Sequence, residues 1–389
     1  MSIALKDAVE KFKEEFGRVP SFVARAPGRV NIIGEHTDYN HGFVLPMAIE
    51  RETVLVGAPR RDRQIYVYAA NLCRRGVADI ANCVRNREEP WMDYLVGVAH
   101  ELLQRGLPVS GVDALVWGDV PIGAGLSSSA SLEMATLAMF EHLGSFQLEG
   151  REAAQLGKRM ENEFLGVKSG IMDQFIVRLG RENCALFLDC RTEDFEQIPV
   201  AFDNAVFVIA DSGVKRGLAG SKYNERVQEC LEAVDALKKS SGKSGTHLRD
   251  FGLEDLGAAK HSMREVVYRR ARHVLTENER TREACNALRH GELVRLGTLM
   301  NESDESLRVD YEVTCPELDA LTEIARSVPG CYGARMTGAG FGGCTVNLVA
   351  KDKVQHFADT VLSRYRQRTG IESRIIFSRP APGASVLAL

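Results

Sequence analysis

With 389 residues, 44% of them hydrophobic, the chain has the length for two or perhaps three domains and enough apolar material to fill their cores. A formal net charge of −4 excludes a general nucleic-acid or anionic-membrane binder, so any anion site has to be local and the expected partners are small molecules. Nine cysteines, an odd number without a Cys-x-x-Cys pair, argue against a disulfide framework and a zinc ribbon and imply reduced thiols and a cytoplasmic setting.

Residues 1–16 set Leu5, Val9, Phe12 and Phe16 at helical spacing among charges, which predicts an amphipathic surface helix and neither a signal peptide nor a membrane span. Strand-like runs follow at 23–33, 44–57 and 64–70. A helix is predicted over 92–105, a strand over 112–117, a helix over 128–143 closed by Gly144, and another over 151–164. Buried strands are predicted at 185–189 and 205–210. Residues 210–237 read as a charged helix, 238–246 as a polar loop, and 253–300 as almost wholly helical. A strand pair at 331–337 and 344–349, a helix at 353–370 and a last strand at 373–377 complete the chain. The change of character between 189 and 205 divides it into 1–195 and 196–389, with the last strand a candidate to return to the first part. No repeat is visible, and 235–310 carries no motif.

Three segments carry chemistry. In the first, residues 24–50, Arg29, Asn31, Glu35, His36, Asp38 and Tyr39 lie between the apolar runs Val30–Ile33 and Phe43–Leu45. A fixed cation, carboxylates, an amide, an imidazole and a phenol, with backbone brought close by Gly28, Gly34 and Gly42, suit a polyhydroxylated ligand whose hydroxyls both donate and accept. Alone, Glu-His-Thr-Asp is equally a charged hairpin turn. In the second, Asp119-Val-Pro-Ile-Gly-Ala-Gly-Leu-Ser-Ser-Ser-Ala-Ser, Gly123 and Gly125 let backbone approach an anion at the start of a helix whose unpaired N–H groups point the same way. This is a phosphate cradle without a lysine. In the third, Asp173 lies in the apolar stretch 171–177, where a lone acid needs a partner or a purpose. Two other glycine patterns are decoys. Gly242-Lys243-Ser244 has Leu237 where a Walker A loop needs glycine, and Gly338–Gly343 leads into a strand pattern where a dinucleotide fold needs a helix.

These strings closely resemble the signatures of the galactokinase branch of the GHMP family of small-molecule kinases. The resemblance implies an α+β, two-domain GHMP kinase fold, with a ribosomal-protein-like N-terminal domain, a ferredoxin-like C-terminal domain and the site between them. It implies ATP-dependent phosphorylation of the anomeric hydroxyl of galactose, with Arg29 and Asp173 as the catalytic pair and Glu35, His36, Asp38, Gly170 and Tyr223 holding the sugar. It further implies nucleotide contacts from Gly123, Gly125, Leu126, Ser127, Ser128 and Ser129, with Trp91 and Tyr94 beside the base. Ser129, or less often Ser128, and Glu161 would hold Mg2+, and the turn 333–345 would support the phosphate loop. A monomer or weak homo-oligomer is expected. Lys168-Ser169 departs from the Pro or Asn followed by Cys of many members, which keeps open N-acetylgalactosamine, arabinose or a uronic acid as acceptor. A catalytically inactive sugar sensor is the alternative outside the enzymes.

Overall fold

The computed structural model describes residues 5–200, 202–215 and 219–389, so residues 1–4 of the expected first helix lie outside the described residues. In chain order the first part comprises α1 (Leu5–Phe16), β1 (Phe22–Asn31), β2 (Phe43–Val44), β3 (Pro46–Pro59), β4 (Gln64–Ala69), β5 (Arg74–Asp79), α2 (Asp93–Gln104), β6 (Val112–Gly118), α3 (Ser128–Gly144), α4 (Gly150–Arg159) and α5 (Met172–Leu179). Then come β7 (Cys184–Asp189), β8 (Phe195–Pro199), β9 (Ala205–Asp211), α6 (Ala219–Ser241), α7 (Leu253–Ala258), α8 (Glu265–Arg289), α9 (Leu293–Ser306) and α10 (Pro316–Ser327). The chain closes with β10 (Cys331–Thr337), β11 (Cys344–Ala350), α11 (Val354–Thr369), β12 (Arg374–Phe377) and β13 (Ser385–Ala388).

A six-stranded sheet in the order β13-β1-β3-β6-β4-β5 forms the first layer. Successive strand residues face opposite sides. Val23, Val54, Val56 and Leu115 therefore pack on Phe12 of α1, while Phe22, Ala24 and Leu55 join the core formed by α2, α3 and α5. A second, four-stranded sheet, β10-β11-β9-β12, carries α10 and α11 on one face through Leu321, Ile324, Phe357 and Val361. A short third sheet pairs β2, from between β1 and β3, with β7 and β8, which precede the second sheet in the chain.

Two local features aim side chains at the site. The β1–β3 register shifts between Pro27 and Arg29, and such a bulge bends the strand and redirects the next residue. Gly28 is required there, because a Cβ would come 2.8 Å from the carbonyl of Leu126, where the glycine-rich loop crosses β1. The predicted helix 151–164 is α4 followed by a π-helical turn, Met160–Leu165, ended by Gly166 at φ +75°. A second π-helical turn, Leu307–Tyr311, follows α9. Such widened turns concentrate at functional sites, and these two present Glu161 and Tyr311.

Several elements differ from the sequence expectation. The helix predicted over 253–300 is three helices, α7, α8 and α9, with a left-handed turn at Gly291 (φ +68°) separating the last two. Edge strands β5 and β8 and helices α5 and α10 had no reading, the strands because mostly exposed, charged sequences lack an apolar alternation. The strand at 374–377 stays in the second sheet beside β9, and the return to the first sheet is made by β13, whose Ala388 pairs with Phe22 of β1. Among the described residues no helix is long and apolar enough to cross a membrane.

Candidate active site

A cavity of about 310 Å³ gathers Arg29, Glu35, His36, Asp38, Glu161, Gly170, Asp173 and Tyr223, residues brought together from β1, the following loop, α4's π turn, α5 and α6. Arg29, 5% exposed, donates from Nε and Nη2 to the two carboxylate oxygens of Asp173, both at 2.8 Å. This planar fork fixes the orientation of Asp173, which stands in the first turn of α5. Arg29 Nη1 donates to the carbonyl of Gly125 at 2.6 Å, and its backbone N–H to that of Leu126 at 3.0 Å. One side chain thereby ties the acid to the glycine-rich loop.

The loop after β1 is held from outside. Glu35 accepts from Asn31 Nδ2 and from the backbone N–H of Gly338, both at 2.5 Å, and fully buried Arg335 lies 3.5 Å away. Its own N–H and that of Gly34 donate to Glu277 on α8, at 3.3 and 3.0 Å. Burial works against a charge on Glu277, but Arg280, His273 and Arg335 outweigh it and hold its carboxyl down at about 2. A buried anion from α8 thus anchors the loop by its backbone. His36, in a left-handed conformation at φ +62°, contacts the carbonyl of Ala339 through Nε2 at 3.3 Å. A carbonyl only accepts, so Nε2 carries the proton and Nδ1 accepts from the Tyr39 hydroxyl at 2.9 Å. The chain continues through Tyr311, 2.7 Å from Tyr39, to Cys230, 3.2 Å from Tyr311.

Asp38 lines the same cavity. Burial, then the negative charge of Asp173, raises its carboxyl to about 6. Gly170 is essential beside it, since a Cβ there would overlap the Asp38 carboxylate. Burial, with Asp38 and Tyr39 close by, pushes the Tyr223 phenol well above its ordinary range and keeps it a hydroxyl donor. Lys168 is exposed and takes no part in the cavity lining, whereas Ser169 lines it and donates to Glu161.

A neighbouring cavity of about 510 Å³ is lined by Trp91, Tyr94, Ser128, Ser129, Val116 and Leu132, with Asn71 and Arg374 also on its wall. Between the two cavities, Gly123 and Gly125 take φ +79° and +80°, and Ser127 caps α3 at φ +57°. Two expected nucleotide contacts point elsewhere. The Leu126 side chain is fully buried, leaving its carbonyl to receive Arg29, and Ser127 Oγ donates to Asp173. The two expected metal ligands also open on different spaces, Ser129 on the larger cavity and Glu161 on the smaller. The donor set nevertheless fits a hard cation. Glu161 and Glu133 are buried carboxyls whose affinity for protons is raised by burial, and Glu133 Oε1 has no hydrogen-bond partner among the described residues.

Sequence reasoning missed Glu133, Glu277, Arg335, Tyr311 and Cys230. A helix-face Glu at 133 one turn past the serine run was the only signal available. Glu277 sits in the unassigned 235–310 stretch and Cys230 and Tyr311 flank it, while Arg335 falls inside the turn 333–345 without being singled out there; no spacing links any of them to the first loop.

The chain resembles known proteins along nearly its whole length. A galactokinase galactose-binding signature matches residues 10–59, a GHMP kinase N-terminal domain 93–181, and a GHMP kinase C-terminal domain 284–367. The galactokinase of Chloroflexus aggregans is 47% identical over 359 residues, covering 92% of each chain, and that of Fusobacterium nucleatum 41% identical over 387 residues, covering 98% of this chain and 99% of its own. The crystal structure of Lactococcus lactis galactokinase complexed with galactose superposes with a TM-score of 0.94 at 37% identity, over 98% of this chain and 99% of that one. A mevalonate kinase at 21% identity shares the fold, with a TM-score of 0.66 over 92% of this chain. With relatives of this identity covering nearly its whole length, the chain belongs to the galactokinase family of GHMP kinases.

Proposed function

We propose that this chain transfers the terminal phosphoryl group of ATP to the anomeric hydroxyl of D-galactose, giving α-D-galactose 1-phosphate and ADP. The observation that carries the reading is the convergence of Arg29, Glu35, His36, Asp38, Gly170, Asp173 and Tyr223 on one cavity beside the glycine-rich loop. Asp173 accepts the proton of the attacking hydroxyl as it becomes acidic, and Arg29 orients that carboxylate while offering positive charge to the moving phosphoryl group. Asp38 accepts from sugar hydroxyls, protonated Tyr223 donates, and His36 and Glu35 shape the rim. The α3 N-terminus receives the phosphates, and Trp91 and Tyr94 flank the base. Glu161 with Ser129 would hold Mg2+, which when bound neutralises phosphate charge. Nine free cysteines accord with a cytoplasmic enzyme, and we assign it as a monomer or weak homo-oligomer with a unit boundary near residue 195.

The test is an ADP-release assay with a sugar panel. D-Galactose should support turnover and D-glucose far less, because a site built to hydrogen-bond one hydroxyl discriminates strongly against an analogue that leaves its polar groups unpaired. Equal rates with the two sugars would refute the acceptor assignment and keep the kinase.

A further inference from the structure

Beside the sugar loop, and sharing no lining residue with the sugar cavity, is a second small hollow formed by Phe43 of β2, Arg249 and Phe251 of the α6–α7 connection, and Leu275, Asn278 and Arg282 of α8. Its volume is about 140 Å³, equivalent to only a few waters at ~30 Å³ each and well below the ~300 Å³ at which pockets for organic ligands begin.

The donors around it are unmatched. Asn278 is 6% exposed, and its Oδ1 accepts the backbone N–H of Phe43 at 2.9 Å. That bond settles which end of the amide is which and leaves the buried Nδ2 without an acceptor among the described residues. Arg249 Nη1 is likewise buried without an acceptor. The Arg249 guanidinium lies 3.7 Å from the centre of the Phe43 ring, and its carboxylate neighbour, Asp189, is 3.6 Å from Nη2, a loose contact. Arg282, one turn beyond Asn278 on α8, approaches the same ring at 5.9 Å and has no ion pair among the described residues. Exposed Glu279 is the one acid in the lining. Burial lowers the proton affinity of Arg249 against the pull of Asp189, and the nearby Arg191 and Arg282 add smaller contributions in the same direction as burial. A buried donor without an acceptor costs the full desolvation of that group, and both donors belong to residues that line this one hollow, so a shared acceptor drawn in beside them would relieve both.

We propose that this hollow binds a small oxyanion of the phosphate class, with Arg249, Asn278 and Arg282 as its donors. Guanidinium forks match phosphate oxygens in pairs, and the amide supplies a third direction. The occupant joins the 246–252 segment and α8 to Phe43, the residue that follows the sugar loop, so the site sits where an anion would stiffen that loop from behind.

The experiment needs no turnover. The full-length protein is titrated with inorganic phosphate at constant ionic strength, followed by its melting temperature and by 31P NMR line width. Sodium chloride is the control, and glycerol 3-phosphate represents a phosphate on an organic stem. A saturable rise with phosphate and none with chloride is expected, and the tighter of the two phosphates tells a free ion from a monoester. Arg282→Gln, at an exposed position, should weaken the midpoint at least about tenfold, the scale of one charge-assisted hydrogen bond. Asn278→Asp keeps the acceptor for Phe43 and should abolish the effect. No saturable response to either phosphate, or an unchanged midpoint in Arg282→Gln, overturns the proposal, the second by locating the ion elsewhere, such as the glycine-rich loop.

Discussion

The two cavities that flank the glycine-rich loop are built by opposite means. On the sugar side, the charged and ring groups of the β1 end and its following loop are fixed by bonds to protein: Arg29 to Asp173, Glu35 to Asn31 and Gly338, His36 to Tyr39 and Ala339. On the nucleotide side the wall is largely flat rings and aliphatic groups, Trp91, Tyr94, Val116 and Leu132, with backbone at positive φ in the adjoining loop. A sugar differs from its epimers only in where hydroxyls point, so recognising one demands fixed donors and acceptors. A nucleotide offers a ring face and a row of phosphates, which apolar walls and a helix N-terminus meet with looser geometry. Substitutions on the first side should therefore act steeply and specifically, and those on the second side shallowly.

The steepest break is Asp173→Asn. It keeps size and removes both proton acceptance and the charge that Arg29 grips, so kcat should fall at least ~10²-fold, the lower end of general-base effects. The nucleotide KM should change little, because the second cavity does not contain Asp173. Steady-state kinetics on folded protein decide it. Retention of more than about a tenth of wild-type kcat would leave positioning alone to carry the catalysis.

Gly170→Ala tests crowding. The new methyl would overlap the Asp38 carboxylate, the mobile end of a side chain, so Asp38 must swing away while the fold persists. Galactose KM should rise at least ~tenfold, as for loss of one hydrogen bond to a charged group, with the ATP KM unmoved. A parallel rise in both constants would show that the change spreads beyond the sugar side.

Asp38 also gives a pH signature. Its carboxyl titrates near 6 in the folded protein, raised by burial and Asp173 and opposed by Lys158, with Glu35 a smaller contribution. An ionised Asp38 is the better acceptor, so galactose KM should rise as pH falls through about 6. For stability the sign is opposite. A raised acid is more readily protonated folded than unfolded, so the stability it contributes is complete below its ordinary range near pH 4 and is lost as pH climbs through about 6. Asp38→Asn should flatten both curves. A galactose KM that stays constant between pH 7.5 and 5 in the wild type would remove Asp38 from sugar binding.

The asymmetry between the cavities also explains what was legible. The sugar loop is contiguous, so Arg29, Glu35, His36 and Asp38 are readable together, and the glycine-serine run announces the helix it opens. Gly170, Asp173 and Tyr223 are readable through family strings. Their supports are not, because Glu277 and Tyr311 reach the loop from more than two hundred residues away and each alone reads as an ordinary helix residue, while Arg335, although inside the legible turn 333–345, gives no sign of its approach to Glu35. The fold followed the same logic. Strands buried on both faces, such as β1 and β11, stand out as apolar runs, while β13, with three exposed residues of four, gives no signal although it closes the edge of the first sheet.

The shallowest effect expected is at Trp91. Its indole Nε1 donates to Glu89 at 2.5 Å, which holds the ring at the cavity wall next to Gly76, where a Cβ would come 3.1 Å from the ring edge. The ring contributes a flat apolar face and no hydrogen bond to the ligand, and aromatic stacking of this kind is worth about 0.5–1.5 kcal/mol beyond area burial. Trp91→Ala should therefore raise the ATP KM only some two- to tenfold and leave galactose KM and kcat near wild type, whereas Trp91→Phe should restore most of the loss by keeping a face. Because Trp91 is half-buried and packs against the first core, melting temperature has to be followed alongside. A KM increase that Phe fails to rescue, tracking the melting temperature, would make Trp91 a packing residue and leave Tyr94 as the ring that meets the base. A loss well beyond tenfold that Phe does rescue would erase the contrast between the two sides, since a wall without a polar contact would then be discriminating as sharply as the sugar network.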